Sequence, residues 1–211
     1  MLTLQEAEVW YQGTDGVHDF DHIQRVYQMC RRLAKEEGAD MEIVSAAALL
    51  HDATDSKAGT SARDNHHLTS ADFAARVLAE KGWSAERIDA VQHCIRAHRF
   101  RAREERPATL EAQVLFDADK LDVLGAVGVA RVIAYAAQTG QPAYAPPSAQ
   151  FLASGEKEPG EAHSAYHEHL FKLRKIKDLL FTATARRIAE ERSRYLEEYF
   201  QRLIDETRGL V

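Results

Sequence analysis

Apolar residues recur at three- and four-residue steps along most of this chain, and this spacing is typical of helices. From Phe20 to Glu37 they fall on one face of an α-helix, and the positions are Ile23, Val26, Tyr27, Cys30, Leu33 and Ala34. No clean period-two run of β-branched residues competes with this pattern. The sequence therefore predicts an all-α fold.

A second predicted helix, residues 41–51, is small and apolar nearly all round, so we expect it at the centre of the fold. Gly38 supplies a stop for the helix before it, and Asp40 is a good N-cap. The apolar run ends abruptly in His51 and Asp52. Buried polar groups need a partner, which makes this pair a candidate for chemistry.

The rest of the chain divides into further helical patterns and two polar stretches. Residues 56–67 read as a polar loop, and residues 141–160, which hold four of the five prolines, as a long loop that favours a lid. Four further helical patterns are predicted. They cover residues 70–81, a helix capped by Ser84 that reaches His98, residues 110–135, where Gly125 and Gly128 permit close helix contact or a bend, and residues 163–208 with a break near Thr182.

We expect a single domain covering residues 1–211. Its core comprises residues 18–140, and the C-terminal helices pack on it as a cap. An apolar face on residues 165–203 further predicts self-association into a homo-oligomer.

Composition restricts the function classes. The hydrophobic fraction of 45% suffices for a core, and the formal net charge of -6 argues against duplex nucleic acid and anionic membrane as partners. Small phosphorylated substrates remain, because a local pocket can be positive on an acidic protein. Cys30 and Cys94 lie within apolar helical patterns. We therefore expect them to be buried free thiols of a protein in a reducing compartment. The N-terminus lacks the basic flank and apolar run of a signal peptide, so we expect a cytoplasmic protein.

Histidine and aspartate residues stand at the edges of three predicted core helices. They are His22 in HDFDHIQRV, His51 and Asp52 in ALLHDATDSK, and the acidic cluster of Asp117, Asp119 and Asp122. Two imidazoles and two carboxylates form a mixed nitrogen and oxygen ligand set that leaves positions for water and substrate. This set suits an octahedral manganese, magnesium, iron, cobalt or nickel ion better than a structural zinc site, which favours cysteine.

The spaced pattern H…HD…D resembles the HD-domain phosphohydrolase superfamily. The strings HDFDHIQRV, AALLHDATDSK and LFDADKLDVLGAVGVAR, with KIKDLLFT near the C-terminus, are similar to a subgroup of small bacterial nucleotide hydrolases. The resemblance implies a compact HD-domain helical bundle, a divalent metal cofactor, manganese above all, and a nucleotide substrate. It also implies hydrolysis of a nucleoside triphosphate to the monophosphate and pyrophosphate.

By motif, the resemblance places the metal on His22, His51, Asp52 and Asp119. Asp119 is preferred to Asp117 because the family's ligand directly precedes a lysine or arginine. Asp117 and Asp122 are alternatives as acceptors that orient the ligands.

Other charged residues near these motifs are candidates for catalysis and for substrate binding. Asp55 is the candidate general base, or a turn cap, and Lys57 a catalytic cation. Arg25 and Lys120 are candidates for binding substrate phosphate. The alternative for Arg25 and Lys57 is a solvated surface charge, and for Lys120 a salt bridge to a neighbouring aspartate.

The remaining histidines are weighed in the same way. His98 shares a face with Ile95 and Val91, so it either satisfies the core or touches substrate or a second metal. His66 and His67, adjacent in the polar stretch, are alternatives for that second metal.

Two other functions remain open at this point. One is a phosphomonoesterase or phosphodiesterase that uses the same site. The other is a sensor that binds a nucleotide without turnover. The fold alone does not separate them.

Overall fold

The structure, a computed structural model, describes residues 2–11, 20–54, 65–99 and 105–211. Within these ranges it contains α-helices and 3-10 helices and no strand, which confirms the predicted all-α class. The α-helices are α1 Leu4–Ala7, α2 Phe20–Glu37, α3 Met41–Leu50, α4 His66–Glu80, α5 Ala85–Ala97, α6 Leu110–Leu121, α7 Gly125–Gln138, α8 Ala149–Ser154, α9 Ala165–Phe171 and α10 Ala183–Thr207. The 3-10 helices are Glu8–Tyr11 and Leu173–Leu179.

The chain forms two compact units. The first comprises Met1–Asp119 and Leu180–Ala185, and the second comprises Lys120–Leu179 and Arg186–Val211. The expected single domain with a C-terminal cap stays a prediction.

Helix α3 lies at the centre of the first unit. The Asp40 carboxylate caps it by accepting hydrogen bonds from the backbone N–H groups of Glu42 and Ile43. Every residue from 44 to 50 is buried, and α3 packs against α1, α2, α4 and α5. An apolar surface all round the helix is therefore matched by neighbours on several sides, as its composition predicts.

The Asp40 cap yields a stability prediction. Burial raises the pKa of Asp40, but hydrogen bonds from Ile43 N–H and Arg87 outweigh it and leave the pKa lowered. A carboxylate with a lowered folded-state pKa stabilises above its unfolded pKa of about 4, and that contribution is lost as the pH falls through the folded pKa. We expect Asp40→Ala to lower the free energy of unfolding by about 1 kcal/mol at pH 7, and by less at pH 3.

Urea denaturation at both pH values measures this effect, with Asp89→Ala as a control on an exposed carboxylate. An equal loss at pH 7 and pH 3 would show that the ionised cap is not the cause.

Helix α4 begins earlier than the sequence predicts. Residues 66 and 67, assigned to the polar loop, lie in its first turn, while residues 56–64 of that loop lie outside the described residues. The reason is that His67 continues the buried face of Ser70, Ala71, Ala74 and Leu78 by one more turn. A histidine pair counted as polar therefore belongs to a core helix.

The predicted pattern 110–135 is two helices, because α6 ends at Leu121 and α7 begins at Gly125. Gly125 has φ +70, and a Cβ there would lie 3.1 Å from Cγ of Arg192. At Gly128 a Cβ would lie 2.2 Å from the Val123 carbonyl oxygen. Both glycines are therefore required by the turn and by close approach of the chain.

No helix of the described ranges is by itself long and apolar enough to cross a membrane. Helices α6 and α7 reach that length and composition only as a pair across the break between them.

The second unit orders the stretch predicted as a loop. Helix α8 lies within residues 141–160, capped by Ser148 and ended by Gly155 in the left-handed conformation. Glu161 holds the stretch by accepting from the Ser148 N–H at 2.8 Å and lying 3.0 Å from Nε2 of the buried His167. The lid role of residues 141–160 stays a prediction.

Three aromatic side chains lie partly at the surface. Tyr135, Phe171 and Phe181 are 40%, 49% and 39% exposed. The rings of Phe181 and Phe116 meet edge to face, with centroids 5.2 Å apart. His167 and His169, by contrast, are buried.

Candidate metal centre

Four helices of the first unit bring a histidine or an aspartate to one place. His22 lies in the first turn of α2, the pair His51 and Asp52 directly follows α3, His98 directly follows α5, and Asp119 lies in the last turn of α6. These helices pack their apolar faces into the core. The histidine and aspartate side chains are therefore held on rigid elements.

His22, His51 and Asp119 form a group suited to a metal ion. One potential ligand atom from each lies within 4.8 Å of the other two. Nε2 of His22 is 3.4 Å from Oδ1 of Asp119, and the rings of His22 and His51 have centroids 5.5 Å apart. Both histidines are buried.

The His51 ring is oriented as a metal ligand requires. Its Nδ1 lies 2.9 Å from the Ala48 carbonyl oxygen, and a carbonyl only accepts, so Nδ1 carries the proton and Nε2 the lone pair. In the part of the chain that the structure describes, no hydrogen bond reaches the buried Nε2. A buried lone pair of this kind fits a metal ion.

A second group consists of His51, Asp52 and His98, again with ligand atoms within 4.8 Å of one another. Oδ1 of Asp52 lies 3.5 Å from Nε2 of His66 and 3.6 Å from Nε2 of His98. No hydrogen bond among the described residues satisfies this buried oxygen. His98 repeats the arrangement of His51, because its Nδ1 lies 2.5 Å from the Ile95 carbonyl oxygen.

Burial and neighbouring groups displace the pKa values of three residues at or beside the site. Burial would raise the pKa of Asp52, but attraction to the charged forms of the neighbouring His51, His98 and His66 outweighs burial and holds that pKa well below its ordinary value. Burial lowers the pKa of His98. It also lowers the pKa of His67 to about 4, with help from His66. An ionised carboxylate and a neutral imidazole are the forms of these side chains that bind metals.

The acidic cluster on α6 divides among different partners. Asp119 lies beside His22, whereas Asp117 is fully buried and accepts hydrogen bonds from the backbone of Phe181 and Thr182. Asp122 pairs with Arg131 in the second unit.

The remaining predicted residues fall in several places. Asp55 and Lys57 lie outside the described residues. Arg25 is one turn after His22 on α2, and Lys120 directly follows Asp119; both are half-buried.

The structure places His66, one of the alternatives for a second metal, 3.5 Å from Oδ1 of Asp52. The signal that could have identified it is the helical register that runs back from Leu78 through Ala74 to His67, since this places His66 in a helix rather than a loop.

Comparison with known proteins agrees with this geometry. The family profile described as the HD domain matches residues 19–124. The Bacillus subtilis protein YpgQ is 32% identical over 100% of this chain and 98% of its own length. A crystal structure of YpgQ in complex with ADP has a TM-score of 0.75, with 31% identity, covering 99% of this chain and 100% of that one. A crystal structure of an HD-superfamily hydrolase from Bacillus thuringiensis has a TM-score of 0.68 and 28% identity, covering 98% and 99% of the two chains.

Proposed function

This chain belongs to the HD-domain superfamily of metal-dependent phosphohydrolases, and we propose that it hydrolyses nucleotides, converting nucleoside triphosphate to monophosphate and pyrophosphate. The observation that carries the proposal is a pair of buried atoms, Nε2 of His51 and Oδ1 of Asp52, to which no residue in the described ranges makes a hydrogen bond, each within a group of side chains that could hold a metal ion. Buried polar atoms without partners are costly unless a ligand satisfies them.

The residues present fit a divalent metal held by His22, His51, Asp52 and Asp119. The donor set is two imidazole nitrogens and two carboxylates, which suits manganese, magnesium, iron, cobalt or nickel, with manganese as the proposed native ion. When bound, such an ion polarises a phosphoryl oxygen and lowers the pKa of a bound water molecule to near neutrality.

His98 is proposed to bind substrate beside this centre. With Nδ1 donating to Ile95, the neutral ring presents a lone pair at Nε2, so it accepts rather than donates. It can therefore hold a water molecule or a sugar hydroxyl next to Asp52. The alternative is a second divalent ion shared with Asp52 and His66, because the same lone pair is also a metal ligand.

Charge on the reacting phosphate requires cations. Arg25, Lys57 and Lys120 are the proposed groups, since phosphoryl transfer places negative charge on the equatorial oxygens. Asp55, three residues beyond Asp52, is the proposed general base that takes the proton from the attacking water.

A nucleotide is the proposed substrate because the similar protein YpgQ has been crystallised with ADP. We place the reaction in the cytoplasm, which agrees with two free, buried cysteines. Self-association is a further proposal, supported by Leu152 and Tyr195 in the second unit, which are 64% and 48% exposed.

Product analysis tests the reaction. Metal-stripped protein is incubated with a panel of nucleoside mono-, di- and triphosphates, with and without manganese or magnesium, and pyrophosphate and phosphate are assayed separately. We expect pyrophosphate from triphosphates only when metal is added.

The other outcomes choose between the rival functions. Phosphate from monophosphates would replace the proposed reaction with a monoesterase. Binding without any metal-dependent turnover would favour the sensor and contradict the enzyme.

A further inference from the structure

The motif KIKDLLFT ends in a segment that the metal centre does not itself use. Residues 180–185 belong to the first unit, although the chain on both sides of them belongs to the second. Leu180, Thr182 and Ala185 of this segment are buried. A short piece of chain inserted into another unit requires specific contacts to hold it there, because its backbone groups must be satisfied.

Asp117 provides those contacts from α6. Its Oδ1 accepts a hydrogen bond from the Phe181 N–H at 2.9 Å. Its Oδ2 accepts from both the N–H and the hydroxyl of Thr182, each at 2.7 Å. The carboxylate is fully buried, and hydrogen bonds to a buried ionised group are the strong kind.

Asp117 and Asp119 lie on different faces of the same helix. Two helical residues that are two positions apart differ by about 200° around the axis. Asp119 lies beside His22 while Asp117 binds the segment. Fixing Asp117 therefore fixes the rotation of α6 that keeps Asp119 beside His22. Phe116, the neighbour of Asp117 on α6, also contacts the segment: its ring meets the ring of Phe181 edge to face, with centroids 5.2 Å apart.

The segment is also hydrogen-bonded to α2, the helix that carries His22. Thr184 N–H donates to Oε1 of Glu37 at 2.7 Å, and Glu37 is the last residue of α2, whose first turn carries His22. Both helices that present the 3.4 Å contact between His22 and Asp119 are thus bound by one stretch of four residues, 181–184.

We propose that Asp117 and Thr182 are positioning residues of the metal centre, and that residues 181–184 hold α2 and α6 in the register that brings His22 and Asp119 together. This proposal rests on the proposed function, because it assumes that the two side chains share a metal ion. Neither positioning residue contacts the substrate. They act through the orientation of Asp119.

The test compares Thr182→Val with Thr182→Ser. Valine keeps the shape and removes both the hydroxyl bond to Asp117 and the bond from the Ala185 N–H to the Thr182 hydroxyl; serine keeps the hydroxyl. Manganese affinity of the metal-stripped full chain is measured by electron paramagnetic resonance, well below the melting temperature of each variant. We expect Thr182→Val to weaken the manganese affinity about tenfold. Thr182→Ser should keep an affinity close to that of the wild type.

The matched control is Ser84→Ala. It removes another hydroxyl cap of the first unit, the acceptor for the Arg87 N–H at the start of α5. We expect it to lower the melting temperature without changing manganese affinity, which separates positioning from general stability.

Wild-type affinity in Thr182→Val would overturn the proposal. If that variant does not fold, Glu37→Ala takes its place, with a weaker affinity expected and an unchanged one overturning the proposal. Failure of the wild-type chain itself to bind manganese would instead contradict the proposed function.

Discussion

Asp52→Asn is expected to lower metal-dependent phosphohydrolysis about 1,000-fold. The asparagine has nearly the same shape, but it lacks the negative charge that Asp52 would contribute as a proposed metal ligand. Stabilisation of phosphoryl charge by a metal amounts to several kcal/mol, and about 4 kcal/mol corresponds to about a 1,000-fold change in rate. Steady-state turnover of the nucleotide identified by product analysis measures the effect.

The matched control for this variant is Asp89→Asn, an aspartate on the exposed face of α5. It is expected to retain full turnover. Circular dichroism should show both variants folded. Wild-type turnover in a folded Asp52→Asn protein would show that Asp52 is not part of the catalytic site.

His22→Gln is expected to weaken manganese binding by at least about 100-fold. The buried His22 ring faces Asp119 and His51, and its loss leaves fewer ligands than the ion needs. Changes to residues that merely orient ligands already cost about 10- to 100-fold in affinity, so removal of a ligand should cost at least the upper value. Isothermal titration of metal-stripped protein with manganese gives the affinity.

His163→Gln is the control, because His163 lies in the second unit and bonds to Glu168 at 3.0 Å. It should bind manganese as the wild type does. Equal affinity in both variants would show that His22 is not a ligand.

Local patterns predicted most of the helices near the centre. The stripe from Ile23 to Ala34 predicted α2 with its observed ends, and Asp40 and the apolar run after it predicted α3 to within one residue. These predictions succeed because an apolar face and an N-cap are properties of consecutive residues. The polar pair at the end of this apolar helix, His51 and Asp52, belongs to a group of side chains that could hold a metal ion.

The predictions that failed depend on packing that the sequence does not state. The glycines at 125 and 128 permit a continuous bent helix as readily as a break, and the sequence does not state that Gly125 adopts φ +70 where α6 and α7 separate. His66 and His67 read as polar until the buried register of α4 is known.

The partners of Asp117 lie more than sixty residues away in the chain, so no local pattern announces them. Asp55 and Lys57 remain predictions, as do the substrate roles of Arg25 and Lys120.

The most direct test of the central claim is a crystal structure of the wild-type protein with manganese, examined by anomalous scattering at the manganese edge. The claim predicts an anomalous peak at bonding distance from Nε2 of His22 and His51 and from the carboxylates of Asp52 and Asp119. A fully loaded crystal with no peak at these four residues, or with manganese bound only elsewhere, would contradict it.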